Sequence, residues 1–193
     1  MAQATLIYLH GFLSSGGSAK AAQLATYLAA ERPDIHYLRP MLPDTPGEAW
    51  DAVCECIDGR LLQGPIGLIG SSLGGFWATC AAERFAVPAV VVNPAVHPQQ
   101  LLHQFLGVQR NPYSGREFTL VPEHMQVLAA LDRQKLAHPE RFWLLQQSGD
   151  EVLDYRVAVD YYRAGRVTLE SGGNHAFSGF ERHCPEIVRF LQL

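Results

Sequence analysis

Pro65-Ile-Gly-Leu-Ile-Gly-Ser-Ser-Leu-Gly-Gly75 is the stretch that decides the fold. Its first half is apolar, without alternation, and of strand length, as for a strand buried on both faces. From Leu73 onward the apolar residues recur at helical spacing through Phe76, Trp77, Cys80 and Ala81. Between the two lies Gly70-Ser71-Ser72-Leu73-Gly74, a G-x-S-x-G motif centred on Ser72. A nucleophile in a sharp strand-to-helix turn needs small residues two positions before and after it, because side chains there would collide with the turn. An ordinary glycine turn is the plain alternative, and the flanking strand and helix favour the nucleophilic reading. Ser71 is off-centre and is expected only to pack or to hydrogen-bond.

The same alternation of strand-length and helix-length segments runs outward in both directions. Strands are expected at 5–9, 35–38, 65–70, 89–93, 142–147 and 166–170, and helices at 18–30, 46–62, 73–85, 155–163 and 185–193. This pattern predicts a single α/β domain over residues 1–193, with a mainly parallel sheet of about six strands and helices on both faces. The long interval 94–141 reads as a small cap segment. Its polar centre, 107–122, reads as an irregular loop, and loops that long in a compact domain usually serve function.

Composition excludes several classes. With 48% hydrophobic and 18% charged residues among 193, the chain has a core and is not disordered. A net charge of −4 argues against nucleic acid and against anionic membranes as partners. No segment reaches the roughly 20 apolar residues of a membrane span, and the N-terminus lacks the pattern of a signal peptide. A cytoplasmic protein is expected, with Cys54, Cys56, Cys80 and Cys184 as reduced thiols and no metal site.

A serine nucleophile needs a base and a group that orients the base. In the elbow-containing fold these follow in the order serine, acid, histidine. Among eight histidines, His175 stands out, because Gly172-Gly173-Asn174-His175 follows the last expected strand at the carboxyl edge of the sheet. His183 reads as a partly exposed helix residue. Asp150, Glu151 and Asp154 follow the preceding strand. Asp150 leads, because the turn directly after a strand favours a short, anchored carboxylate. Glu151 is expected to face solvent and Asp154 to cap the next helix. Two backbone donors should form an oxyanion hole, the N–H of Leu73 and that of Phe12 in His10-Gly11-Phe12-Leu13. Gly11 lets that loop approach the site, and His10 reads as structural. Ser14, Ser15 and Ser18 read as turn and N-cap residues. Phe12, Leu73 and Val152 are the expected apolar wall, with Gly11, Tyr113 and Gln109 as further substrate contacts.

Taken together, Tyr8-Leu-His-Gly-Phe12, Gly67-Leu-Ile-Gly-Ser-Ser-Leu-Gly-Gly75, Val90-Val-Val-Asn-Pro-Ala95, Trp143-Leu-Leu-Gln-Gln147, Gly149-Asp-Glu-Val-Leu-Asp-Tyr155 and Gly172-Gly-Asn-His-Ala-Phe177 resemble the α/β-hydrolase superfamily. More narrowly, they resemble the YqiA-type small bacterial esterases, and the likeness spans the chain. The resemblance implies hydrolysis of small-molecule carboxylic esters or thioesters by Ser72, Asp150 and His175, without metal or organic cofactor. The chain is shorter than larger members and looks to lack their first antiparallel strands and a full lid. Three rivals share these features: an acyl-CoA thioesterase, a peptidase, and a non-catalytic ligand-binding protein of the same fold.

Overall fold

In the computed structural model, which describes residues 3–193, strand β1 (Thr5–Leu9) is buried along its whole length. Its side chains alternate between two apolar clusters, Leu6 and Tyr8 in one, Ile7 and Leu9 in the other, as the period of a strand requires. The chain continues through α1 (Ala19–Glu31), β2 (His36–Leu38), α2 (Pro46–Asp58), β3 (Ile66–Ser71), α3 (Leu73–Phe85) and β4 (Ala89–Val92). Next come α4 (Pro98–Leu102), β5 (Gly107–Arg110), β6 (Glu117–Leu120) and α5 (Pro122–Leu131). The last elements are β7 (Phe142–Gln147), α6 (Tyr155–Tyr162), β8 (Arg166–Glu170) and α7 (Cys184–Phe190).

The main sheet has the order β2-β1-β3-β4-β7-β8, and every neighbouring pair is parallel. The α/β class and six-strand sheet expected from the sequence are therefore what the chain forms. Right-handed crossovers fix the layers. The β1-to-β2 connection runs one way along the sheet and the later ones run the other, so α1 covers one face alone among the crossover helices, and α7, which follows the last strand, packs beside it. Leu24, Leu28, Ile187 and Val188 pack there, whereas Val53, Trp77, Leu128 and Tyr162 from α2, α3, α5 and α6 pack on the other. The direction of winding reverses between β1 and β3. The carboxyl ends of those two strands thus flank the crevice where ligands bind in open α/β sheets.

Two expectations need correction. The 46–62 helix stops at Asp58, where Gly59 and a turn through Arg60 end it. Residues 107–122 are not an irregular loop: β5 and β6 pair there as an antiparallel hairpin. Phe118 and Leu120 alternate with exposed Glu117 and Thr119, so one face of the hairpin is apolar and buried. The Phe118 ring meets the Phe12 ring edge-on at 6.2 Å, and Phe105 lies 5.6 Å from Phe12. Asn111 anchors the hairpin by donating to Asp44 Oδ1 at 2.7 Å.

Among the described residues, no helix is long and apolar enough to cross a membrane. All four cysteines are free. Burial pushes the Cys80 and Cys184 thiols up to about 12, which leaves them unreactive.

Candidate active site

Ser72 sits between β3 and α3 with φ 56° and ψ −125°, a conformation that a non-glycine residue adopts at a cost. Its neighbours hold it there. The Ser72 N–H donates to the Val92 carbonyl at 3.2 Å, and its own carbonyl accepts from Gly75 and Ala95, each at 2.9 Å. The motif glycines are explained by space. A Cβ on Gly70 would lie 2.0 Å from the Gly74 oxygen, and one on Gly74 would lie 2.0 Å from the Leu9 oxygen. The adjacent Ser71 is buried and shares the cleft.

The loops after β7 and β8 meet beside this turn. His175 Nδ1 lies 2.8 Å from Asp150 Oδ2 and 2.9 Å from Oδ1. The Asp150 side chain is fully buried, and the Val152 and Leu153 N–H groups each donate to Oδ1 at 2.9 Å. Burial alone would raise its pKa. The hydrogen bonds from His175, Leu153 and Val152 outweigh that and hold the carboxyl below its ordinary value. Glu151 is exposed as expected, but it has a partner, since its Oε2 accepts the His175 backbone N–H at 2.9 Å. Asp154 caps α6 by accepting from the Arg156 N–H.

The loop after β1 closes the third side. A Cβ on Gly11 would lie 3.0 Å from Ser72 Cβ and 3.4 Å from its Oγ, so the backbone runs against the serine. His10 secures this loop. Its Nε2 accepts from the Leu42 N–H at 2.9 Å, which leaves Nδ1 as the donor to the Gly11 carbonyl at 2.9 Å. Burial lowers its pKa, and the neutral ring is what this bonding needs. With both nitrogens engaged, His10 has the structural place expected of it. Among the described residues, no backbone acceptor takes the Phe12 or the Leu73 N–H.

One open cleft is lined by Ser72, His175, Gly11, Phe12, Val152 and Tyr113. Leu73 instead faces an adjoining inner cavity with Phe12, Trp77, Leu102 and Leu120. Gln109 does not line the cleft, because its amide turns to the Phe105 carbonyl at 2.7 Å. Ser18 precedes α1 without a side-chain cap bond, and its hydroxyl turns to Tyr8 Oη at 3.4 Å. Ser15 does serve a turn, accepting from the Gly17 N–H. Among the described residues, no three His, Cys, Asp or Glu side chains are grouped to hold a metal ion.

The model of an uncharacterised protein family, UPF0227, matches residues 5–192, from β1 to the end of the chain. The chain belongs to UPF0227. The YqiA-type resemblance in its sequence points to the same family. Solved structures share the architecture of this UPF0227 chain at low identity. Est1E from Butyrivibrio proteoclasticus, in a structure with ferulic acid bound, is 15% identical with a TM-score of 0.75, over 97% of this chain and 88% of that one. Mouse alpha/beta hydrolase domain-containing protein 10 is 16% identical with a TM-score of 0.72, over 97% and 89%. The esterase domain of a Rhodothermus marinus protein is 16% identical with a TM-score of 0.63, over 96% and 83%. These likenesses establish the α/β-hydrolase fold.

Several residues around the site in this UPF0227 member escaped the sequence reading. Asn93, fully buried after β4, donates to the Asn174 and His175 carbonyls at 2.9 and 3.1 Å and accepts the Gln147 N–H at 3.0 Å. Gln147 accepts from the Asn174 and Ser178 N–H groups through Oε1 and donates to Glu170 and the Ser178 carbonyl through Nε2. His183 is partly exposed and adjoins the last helix, as expected, but it also has a partner: it lies in a 3₁₀ turn before α7 with Nε2 2.9 Å from Glu170 Oε1. The signal available for Asn93 was a polar residue ending the run Ala89-Val-Val-Val92. Buried polar groups need partners, so its side chain had to staple something.

Proposed function

We propose that this chain is a serine hydrolase of short-chain carboxylic esters or thioesters, acting through an acyl-enzyme. One observation carries the reading: His175, bonded to the buried Asp150 carboxylate, lines the same cleft as Ser72 in its strained turn. Ser72 Oγ attacks the carbonyl as the imidazole of His175 takes its proton. Asp150 holds Nδ1–H, which leaves Nε2 as the base and stabilises the imidazolium. The Phe12 and Leu73 N–H groups, unengaged by backbone acceptors, are the donors for the developing oxyanion. His175 then protonates the leaving group. Water, deprotonated by the same imidazole, cleaves the acyl-enzyme and releases Ser72. Every step uses side chains and backbone of this chain. The esterase domain from Rhodothermus marinus, which shares the fold, supports ester chemistry over peptide cleavage.

The test is labelling with a fluorophosphonate, which modifies only an activated serine. Wild type and Ser71→Ala take the label, and Ser72→Ala does not. Ser72→Ala also lowers ester kcat by roughly 10⁴- to 10⁶-fold. A chain that stays unlabelled at Ser72 is a binding protein, and the reverse behaviour of the two serines moves the nucleophile to Ser71.

A further inference from the structure

The cleft holds a cation that the acyl-transfer chemistry does not use. Lys20, in the first turn of α1, lines it together with Ser72 and His175. Its Nζ donates to the Ala176 carbonyl at 2.9 Å, so the ammonium is held one residue along the chain from the proposed base. An ammonium has three donors, and this bond uses one. None of the ion pairs among the described residues includes Lys20. Asp150, the carboxylate nearest in charge, is already committed to His175 and two backbone N–H groups. Tyr8, Ser14, Ser18 and Ser71 line the same cleft. Glu151 also lines the cleft, but its carboxylate is taken up by the His175 N–H, and a half-buried ammonium with spare donors beside hydroxyls is a site for an anion.

Its place relative to His175 says which part of the substrate carries that anion. The leaving group must sit beside His175, because the imidazole hands it the proton. Lys20 is tethered next to that residue. We propose that Lys20 binds an anionic group, a carboxylate or a phosphate, on the alcohol or thiol portion of the substrate. The inference rests on the serine-hydrolase reading and names the substrate class of that site. Burial lowers the Lys20 pKa to about 8, so the ammonium is charged at neutral pH and costly to leave unpaired. An anionic ligand removes that cost.

The experiment compares 3-butyryloxybenzoate with 3-butyryloxybenzamide, which share the acyl group and differ in charge on the leaving group. The quantity read is the ratio of their kcat/KM values. Lys20→Met lowers the anion-to-amide ratio roughly ten- to a hundredfold, the worth of one charge-assisted hydrogen bond. Lys20→Arg keeps it, and Lys20→Glu lowers it further. In wild type the ratio also falls as pH rises through about 8, and in Lys20→Met it does not. The other titratable groups facing Lys20 are Tyr8 on β1, Asp150 and Glu151 after β7, His175 after β8 and Tyr113 of the cap. They act in wild type and Lys20→Met alike, so the difference between the two profiles isolates Lys20. A second arm needs neither a variant nor turnover: 3-hydroxybenzoate binds wild type more tightly than 3-hydroxybenzamide in a calorimetric titration, and inorganic phosphate competes if the site takes phosphate as well as carboxylate. Ratios equal across wild type and the Lys20 variants, or equal binding of the two phenols, overturn the proposal. Loss of fluorophosphonate labelling at Ser72 overturns the catalytic reading instead, and the titration still reads the anion site.

Discussion

Asn93→Ala isolates what holds His175 in place. Asn93 makes three hydrogen bonds from a fully buried position: two donated to the Asn174 and His175 carbonyls and one accepted from the Gln147 N–H. Each is worth about 1 kcal/mol net, and truncation leaves the His175 carbonyl and the Gln147 N–H without partners, while the Asn174 carbonyl keeps the Phe177 N–H. The cost is therefore about 3 kcal/mol or somewhat more, because the orphaned groups are desolvated. In a domain of this size 1 kcal/mol moves Tm by about 2–4 °C, so the expected fall is about 6–12 °C. The catalytic effect separates from the stability effect by temperature. Well below the lowered Tm the protein is folded, but the 174–175 backbone has lost its tie to β4. The expected result is a fall in kcat of about 10²-fold, the cost of a displacement near 1 Å, with KM changed much less. Thermal unfolding followed by circular dichroism measures the first quantity, and steady-state hydrolysis of p-nitrophenyl butyrate at 15 °C measures the second. Asn93→Asp is the control, because it keeps the acceptor for Gln147 and cannot donate to either carbonyl. It should lose the activity of Asn93→Ala. A variant with Tm within about 2 °C of wild type and kcat within twofold would refute the claim that this side chain positions the histidine.

Three further outcomes rest on the same cleft and the cavity beside it. Asp150→Asn should lower kcat by about 10⁴-fold, because the amide favours the wrong imidazole tautomer. Glu151→Gln should cost less than about tenfold, since a glutamine oxygen can still accept the His175 N–H; the opposite ranking would transfer the role. The folded Asp150 pKa is lowered, so its pairing stabilises the fold above the ordinary carboxylate pKa of about 4 and loses that effect as pH falls below it. The unfolding free energy measured with urea should fall more between pH 6 and 3 for wild type than for Asp150→Asn. Trp77, Leu102 and Leu120 form part of the wall of the cavity beside Leu73. Each buried CH₂ contributes about 0.8 kcal/mol only while it has a wall to meet, so kcat/KM should rise to about six acyl carbons and then level. A continued climb past ten carbons would reveal a channel that this cap does not form.

The sequence by itself determined what depends on neighbours along the chain. Pro65 to Gly75 reads as strand, turn and helix because burial on both faces removes alternation and because glycines must flank a strained serine. His10-Gly11-Phe12, Gly149-Asp150 and Gly172-Gly173-Asn174-His175 were legible for a related reason: each follows a strand directly, and a parallel sheet delivers all such turns to one edge. The choice of Asp150 over Glu151 and Asp154 was a preference in the sequence. Only the fold turned it into geometry, with Asp150 against His175, Glu151 against the backbone N–H and Asp154 on a helix end. The hairpin at 107–120 carried a faint signal in Phe118-Thr119-Leu120. Its polar tip obscured that signal, and the buried face exists only because Phe12 and the loop before α2 lie beneath it. The partners of the site were beyond reach of any local pattern. Asn93 meets His175 across 82 residues and Lys20 meets Ala176 across 156. Contacts of that span are set by which strands become neighbours. A buried asparagine or a half-buried lysine has no periodicity to announce the carbonyl it will find.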